Sequence, residues 1–191
     1  MTRLPWALIG LRLACAPLIL MAAVLGWPGS TLFAIAAVAL LSDVFDGMVA
    51  RRLGVDTAPM RQLDSRADTV CYLAAGASLL LRFPDVWRHY RIGVIVLVVL
   101  DLGRMTFEWR KFGRSAAYHM WSAKVWGIAM LLGFGEVMLT GRAGPLFLAA
   151  IVTGVVTNIE GAVASLVLRE WHHDVPSLWH AMRLERSRLA T

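Results

Sequence analysis

Apolar residues run along this chain in blocks too long and too uniform for the one-sided stripe of a soluble helix. Six blocks can be drawn, at roughly 5–25, 31–51, 60–81, 92–110, 119–139 and 145–168. Each is about 20 residues, the length an α-helix needs to cross a hydrocarbon layer of about 30 Å. They lack the two-residue alternation of a membrane-spanning strand. The breaks are written in turn formers: Gly26-Trp27-Pro28-Gly29-Ser30, Gly54 to Pro59, Phe83-Pro84-Asp85, and Gly141 to Pro145. The pattern predicts an all-α, polytopic membrane protein with six transmembrane helices.

After Trp171 the pattern changes. Val175, Leu178, Trp179 and Met182 recur at helical spacing beside Arg183, Arg186 and Arg188, which predicts a short interfacial helix in the headgroup layer. Residues 1–170 are thus expected to form one membrane domain and 171–191 an interfacial or cytoplasmic tail. His172, His173 and Asp174 read as a solvated or interfacial stretch rather than a metal site. No internal repeat is visible, which weighs against transporters built from duplicated halves.

Composition agrees with the blocks: of 191 residues, 58% are hydrophobic and 17% charged. A formal charge of +6 raises the question of nucleic acid, but the cations gather in short connections between apolar blocks. That is the distribution of the positive-inside bias and of contact with anionic headgroups. Arg3, then Arg51, Arg52, Arg61 and Arg66, then Arg110, Lys111 and Arg114, then Arg169, Arg183, Arg186 and Arg188 all fall on one side of a six-span layout. That side is expected to be cytoplasmic, with both termini on it, in the cell membrane. Arg142 falls on the other side, as do Arg82, Arg88 and Arg91, which are the main exception. The first block is too long for a signal-peptide core and no small-x-small cleavage site follows it, so it reads as a mature helix. Cys15 and Cys71 lie inside apolar blocks without metal or redox spacing and read as core residues.

Between the second and third blocks, residues 42–68 hold five aspartates and four arginines. Asp43 and Asp46 are three apart, and Asp64 and Asp68 four apart, so each pair occupies one helix face. Gly54 and Pro59 let the chain fold back, which would bring the four carboxylates together. Alone, such charges repel and resist burial. A divalent cation resolves this, and hard oxygen donors suit Mg²⁺, Mn²⁺ or Ca²⁺ rather than Zn²⁺. With Arg51 beside it, the cluster suggests a phosphate-bearing ligand. Solvated charges paired with arginine are the competing reading, and the preferred one for Asp56. Gly47 and Ala50 leave room for a flat ligand against the helix, although small residues also line helix contacts.

These residues resemble the CDP-alcohol phosphatidyltransferases, whose pattern is D-x2-D-G-x2-A-R-x8-G-x3-D-x3-D. Asp43, Asp46, Gly47, Ala50, Arg51, Asp64 and Asp68 stand in that order with every interval kept. Arg12 in the first block is similar too, although the family's opening P-N-x-x-T-x-x-R here keeps only its proline, Pro5, and arginine. The departure within the motif is Met60, which stands at the family's second glycine and would intrude on a nucleotide lying against the helix.

The resemblance implies transfer of a phosphatidyl group from CDP-diacylglycerol or a similar CDP-linked lipid to the hydroxyl of a small polyol, free or phosphorylated, with release of CMP. It implies Mg²⁺ or Mn²⁺, in a two-metal site, held by Asp43, Asp46, Asp64 and Asp68, with Asp68 also the catalytic base. Asp43, Gly47, Ala50, Arg51 and Met60 would meet the nucleotide and diphosphate. It also implies a homodimer. Arg104, Arg110, Arg114 and Lys124 would serve a phosphorylated acceptor. Of a GKxKT-like segment in glycerol-phosphate-using members, only Lys124 corresponds. The same cations also fit the positive-inside bias alone, and Arg104 can pair with Glu108 four residues on. Asp101, Glu136, Asn158 and Glu160 are expected to bond between helices or line a vestibule. Two other functions stay open: a catalytically idle relative acting as a scaffold, and a cation transporter.

Overall fold

A long apolar run in a membrane offers its backbone no partner but itself, and helices result. In the computed structural model of the chain, the described elements are α1 (Leu4–Val24), α2 (Gly29–Leu53), α3 (Ala58–Arg82), α4 (Pro84–Phe112), α5 (Trp121–Thr140), α6 (Pro145–Val167) and α7 (Leu178–Leu189). The structure describes residues 4–53, 58–114, 118, 120–172 and 175–189, with backbone alone at 4, 5, 44, 46–53, 58–62, 64, 65 and 189. The all-α expectation holds for these residues. Among the described residues, three helices are long and apolar enough to cross a membrane: α1 over Trp6–Val24, α5 and α6. A shorter apolar stretch, Gly29–Asp43, opens α2.

Most predicted bounds lie within a few residues of the observed ones, and the exception is instructive. The fourth block was expected at 92, yet α4 starts at Pro84. Proline fits the first helical position, where its missing N–H costs nothing, and Asp85 favours the positive end of the helix. Phe83-Pro84-Asp85 is therefore a joint between two helices and not a loop. Of the arginines that sat badly in the orientation argument, Arg88 and Arg91 are helical as a consequence, and Arg82 ends α3. Arg82 Nη1 donates to the Trp27 carbonyl at 2.6 Å, and Arg88 pairs with Asp85 at 2.9 Å.

The chain forms two compact units, Met1–Arg88 with Phe134–Gly144, and His89–Gly133 with Pro145–Thr191. In the first, α1 packs along both α2 and α3, which touch each other in fewer places among the described residues. Its buried side chains, Ile9, Arg12, Cys15, Ala16, Ile19, Ala22 and Ala23, recur at three and four residues. Cys15 and Ala16 meet Ala39 of α2 and Cys71 and Ala74 of α3, and these small side chains let three backbones approach. Further along, Ala22, Ala23 and Leu32 pack with Phe134 and Met138 of α5. Gly26, with φ of +71°, turns the chain from α1 toward α2.

In the second unit, α6 buries Ala150, Gly154, Asn158, Gly161, Ala164 and Ser165 on one face. A Cβ at Gly154 would collide with Leu97 of α4 and the Trp126 indole of α5, and one at Gly161 would lie 3.0 Å from Arg104 Cδ. A second cluster joins Tyr118, Met120, Ala164, Leu168, Val175 and Ala181, with Phe112 and Leu178 against it. It ties α7 to the ends of α4 and α6.

Gly29 gives the sharpest packing test, because a Cβ there meets the backbone carbonyl of Met138, which no rotamer change can move. Gly29→Ala is expected to lower stability by about 1–3 kcal/mol, the usual cost of overpacking. Gly10→Ala, with nothing within 4 Å of its Cβ, should be neutral or stabilising by up to about 1 kcal/mol. Thermal unfolding of both variants in detergent checks the contrast, and equal behaviour would contradict this packing of α2 on α5.

Candidate active site

The site grows from one side chain. Arg12 lies midway along an apolar helix and is 1% exposed. A guanidinium so placed is stable only if carboxylates or carbonyls take its hydrogens. Its Nη1 lies 2.5 Å from Asp68 Oδ1 of α3 and 3.1 Å from Asp43 Oδ1 of α2. One nitrogen of α1 thus gathers the first and last aspartates of the acidic motif. Both carboxylates are only partly covered, at 36% and 31% exposure, so the arginine is buried behind a pair of acids that still reach solvent. The Cys71 thiol, one turn beyond Asp68, donates to the Arg12 carbonyl at 3.1 Å. Ile9 and Ala67, with Leu13 and Leu63 beside them, close the apolar wall on one side.

The contact that is described runs through a third helix, α1. Carboxylates on two neighbouring helices repel, whereas a cation on a third helix draws both to itself. The fold takes the second course, with α1 packed on both helices. Asp46, Gly47, Ala50, Arg51, Met60 and Asp64 fall on helical backbone of α2 and α3, but their side chains lie outside the described residues, as does Asp56 altogether. Among the described residues no group of three metal-ligating side chains forms. The two described carboxylates converge on the Arg12 guanidinium; they are oxygen donors, the type a hard cation takes, and both remain partly accessible.

The basic residues singled out for an acceptor belong to the second unit. Arg104 donates Nη2 to Asp101 at 3.1 Å, Nη1 to Glu108 at 3.3 Å and Nε to Asn158 at 3.1 Å. The i,i+4 pairing of Arg104 with Glu108, one of the two readings open in the sequence, is therefore present. Arg114 stacks 4.2 Å from the Trp171 ring and Lys124 lies 4.2 Å from that of Trp121. Arg110 is exposed on α4.

Glu108, fully buried, also accepts from Ser165 at 3.0 Å, and Ser165 Oγ lies 2.9 Å from Tyr118 Oη. Ser165 has one hydroxyl proton and gives it to Glu108, so Tyr118 is the donor in the remaining bond. Burial pushes the Tyr118 phenol up, which keeps that proton in place at neutral pH. Lys111 caps the end of α6 through the carbonyls of Ser165 and Leu166, at 2.7 and 3.1 Å. Sequence reasoning passed over Tyr118 and Ser165. The available signal was Glu108, an acid in an apolar helix that needed a donor. It likewise noted Arg12 only for its likeness to the family, although a lone arginine in an uncharged run carries the same signal. Of the other intramembrane polar groups, Glu136 accepts from the Gly144 N–H at 3.0 Å and Glu160 from the Leu178 N–H at 3.1 Å.

A family model described as CDP-alcohol phosphatidyltransferase matches residues 2–169. Comparison with curated proteins gives no match, and comparison with solved structures gives none either.

Removing Arg12 leaves two carboxylates facing each other in a half-buried site. Arg12→Met is expected to destabilise the protein by about 3–5 kcal/mol, the cost of breaking a buried pair from one side. Combining it with Asp68→Asn should recover part of that loss. A double-mutant cycle on thermal unfolding is expected to give a coupling of about 1.5–3 kcal/mol, and additive losses would show that the contact contributes nothing.

Proposed function

The chain belongs to the CDP-alcohol phosphatidyltransferase family, and from that membership we propose that it moves a phosphatidyl group from CDP-diacylglycerol, or a similar CDP-linked lipid, to the hydroxyl of a small polyol, free or phosphorylated, releasing CMP. The work is done in a membrane crossed by α1 to α6, with termini and site on the cytoplasmic face of the cell membrane and two copies of the chain as a dimer. The observation that carries the reading is the convergence of Asp43 and Asp68 on Arg12, which holds the two ends of the family motif side by side.

In this reading Asp68 takes the proton of the acceptor hydroxyl. The acceptor oxygen bonds to the lipid-side phosphorus, the bond from that phosphorus to the bridging oxygen breaks, and CMP leaves with the electron pair. Arg12 is a positioning residue: by holding Oδ1 of Asp68 and of Asp43 it fixes both rotamers against the wall of α1. By the family motif, Gly47, Ala50, Arg51 and Met60 are the residues assigned to the nucleotide and its diphosphate. Asp43, Asp46, Asp64 and Asp68 would hold the Mg²⁺ or Mn²⁺ ions, which when bound would neutralise the diphosphate. Arg104 is already shared between two carboxylates and an amide. Arg110, Arg114 and Lys124 are assigned to a phosphorylated acceptor by their charge alone. A catalytically idle scaffold is the second reading, favoured by Met60 and by the altered first span, which keeps only Pro5 and Arg12 of the family's opening pattern.

Purified protein in lipid, given CDP-diacylglycerol and a panel of polyols, polyol phosphates and serine, is expected to release CMP. Asp68→Asn should lower that rate by a factor of about 10²–10⁴, the usual contribution of a positioned base. Met60→Gly should lower the donor KM, with kcat little changed. Folded wild type and Met60→Gly that both fail with every acceptor and CDP-linked lipid would leave the scaffold reading standing. Ion flux that falls in Asp68→Asn, without CMP release in either form, would point to a transporter.

A further inference from the structure

The family match ends at residue 169, and α7 lies beyond it. The helix is firmly seated. Ala181 and Glu185 are buried and Leu178 is half-buried, which marks one edge of α7 as packed. Its first N–H, at Leu178, is taken by Glu160 of α6, and Glu185 accepts from the Arg169 N–H at 2.9 Å. Arg188 closes the clasp on Glu170 at 2.6 Å, a contact that also holds the exposed Glu170 carboxyl below its ordinary range.

The adjoining flank has no such partner among the described residues. Trp179, Met182, Arg183 and Arg186 recur there at three and four residues, and all are exposed, the indole to 57%. The Arg183 guanidinium lies 5.4 Å from the Trp179 ring, so cation and aromatic form one surface. The two charged groups of α7 that serve docking, Glu185 and Arg188, lie off this flank. What remains on it is two positive charges, an indole, a thioether and no carboxylate. Position decides what such a surface meets. The helix is bonded through Glu160 to α6, which is long and apolar enough to cross a membrane, and α7 begins soon after that span ends at Val167. A helix held there lies at headgroup depth, where tryptophan is enriched and where arginine meets lipid phosphate.

We propose that α7 lies on the membrane surface and that Trp179, Met182, Arg183 and Arg186 dock it onto anionic lipid headgroups. The inference does not depend on the transferase reading, and its test measures no catalysis. The full chain is placed in nanodiscs of phosphatidylcholine, with and without phosphatidylglycerol, and amide exchange is followed over residues 178–189. Exchange should slow about tenfold or more with the anionic lipid, as expected for two cations near such a surface. Arg183→Glu with Arg186→Glu should erase that difference while leaving exchange in pure phosphatidylcholine unchanged, which shows that the helix is still seated. Brominated lipid should quench the wild type more than Trp179→Phe. Equal exchange in the two bilayers would overturn the proposal, as would a lipid effect that survives the double charge reversal. So would protection by inorganic phosphate alone in phosphatidylcholine discs, since that would mark a free-anion site.

Discussion

The first unit is organised by the need to satisfy a buried guanidinium. Arg12 is almost wholly withdrawn from solvent, on a helix apolar enough to cross a membrane. Charge in such a place is stable only with opposite charge against it. That requirement brings Asp43 and Asp68 to one nitrogen, and with them the two helices that carry them. The small side chains of Cys15, Ala16, Ala39, Cys71 and Ala74 make the approach close enough for the contact to form. The same contact that stabilises the packing also orders the acids on which the proposed chemistry rests. Structure and site are therefore not separable here: loosening α1 would scatter the carboxylates.

The second unit repeats the rule with other residues. Glu108 is fully buried and satisfied by Arg104 and by Ser165, whose own oxygen is served by Tyr118. Gly154 and Gly161 let α6 come near α4 and α5 at the heights where the polar groups meet. Such groups fix register more than they add stability, because each has only one set of partners within reach. In a largely apolar chain, where many helix faces are interchangeable, that selectivity is what polar residues supply.

Helix existence, class and approximate ends were legible because uninterrupted apolar runs leave few alternatives and glycine or proline marks most joints. The early start of α4 was misread because a proline between apolar blocks looks like a break, although it equally opens a helix. The acidic motif was legible from spacing, and a match over residues 2–169 places the chain in the family that the spacing resembles. The pairing of Arg104 was legible as one of two options, since a four-residue interval allows contact without requiring it.

The sequence by itself determined that the chain is helical, where most helices run and which stretches are apolar, since these follow from local interval and composition. Tertiary structure alone decided that Asp43 and Asp68 meet through Arg12, that Ser165 and Tyr118 complete the shell of Glu108, and which edge of α7 is buried. Partners this far apart in sequence leave no periodic trace in the chain. Their contact depends on how close three helix backbones can come, and side-chain volume sets that distance only once the helices are packed.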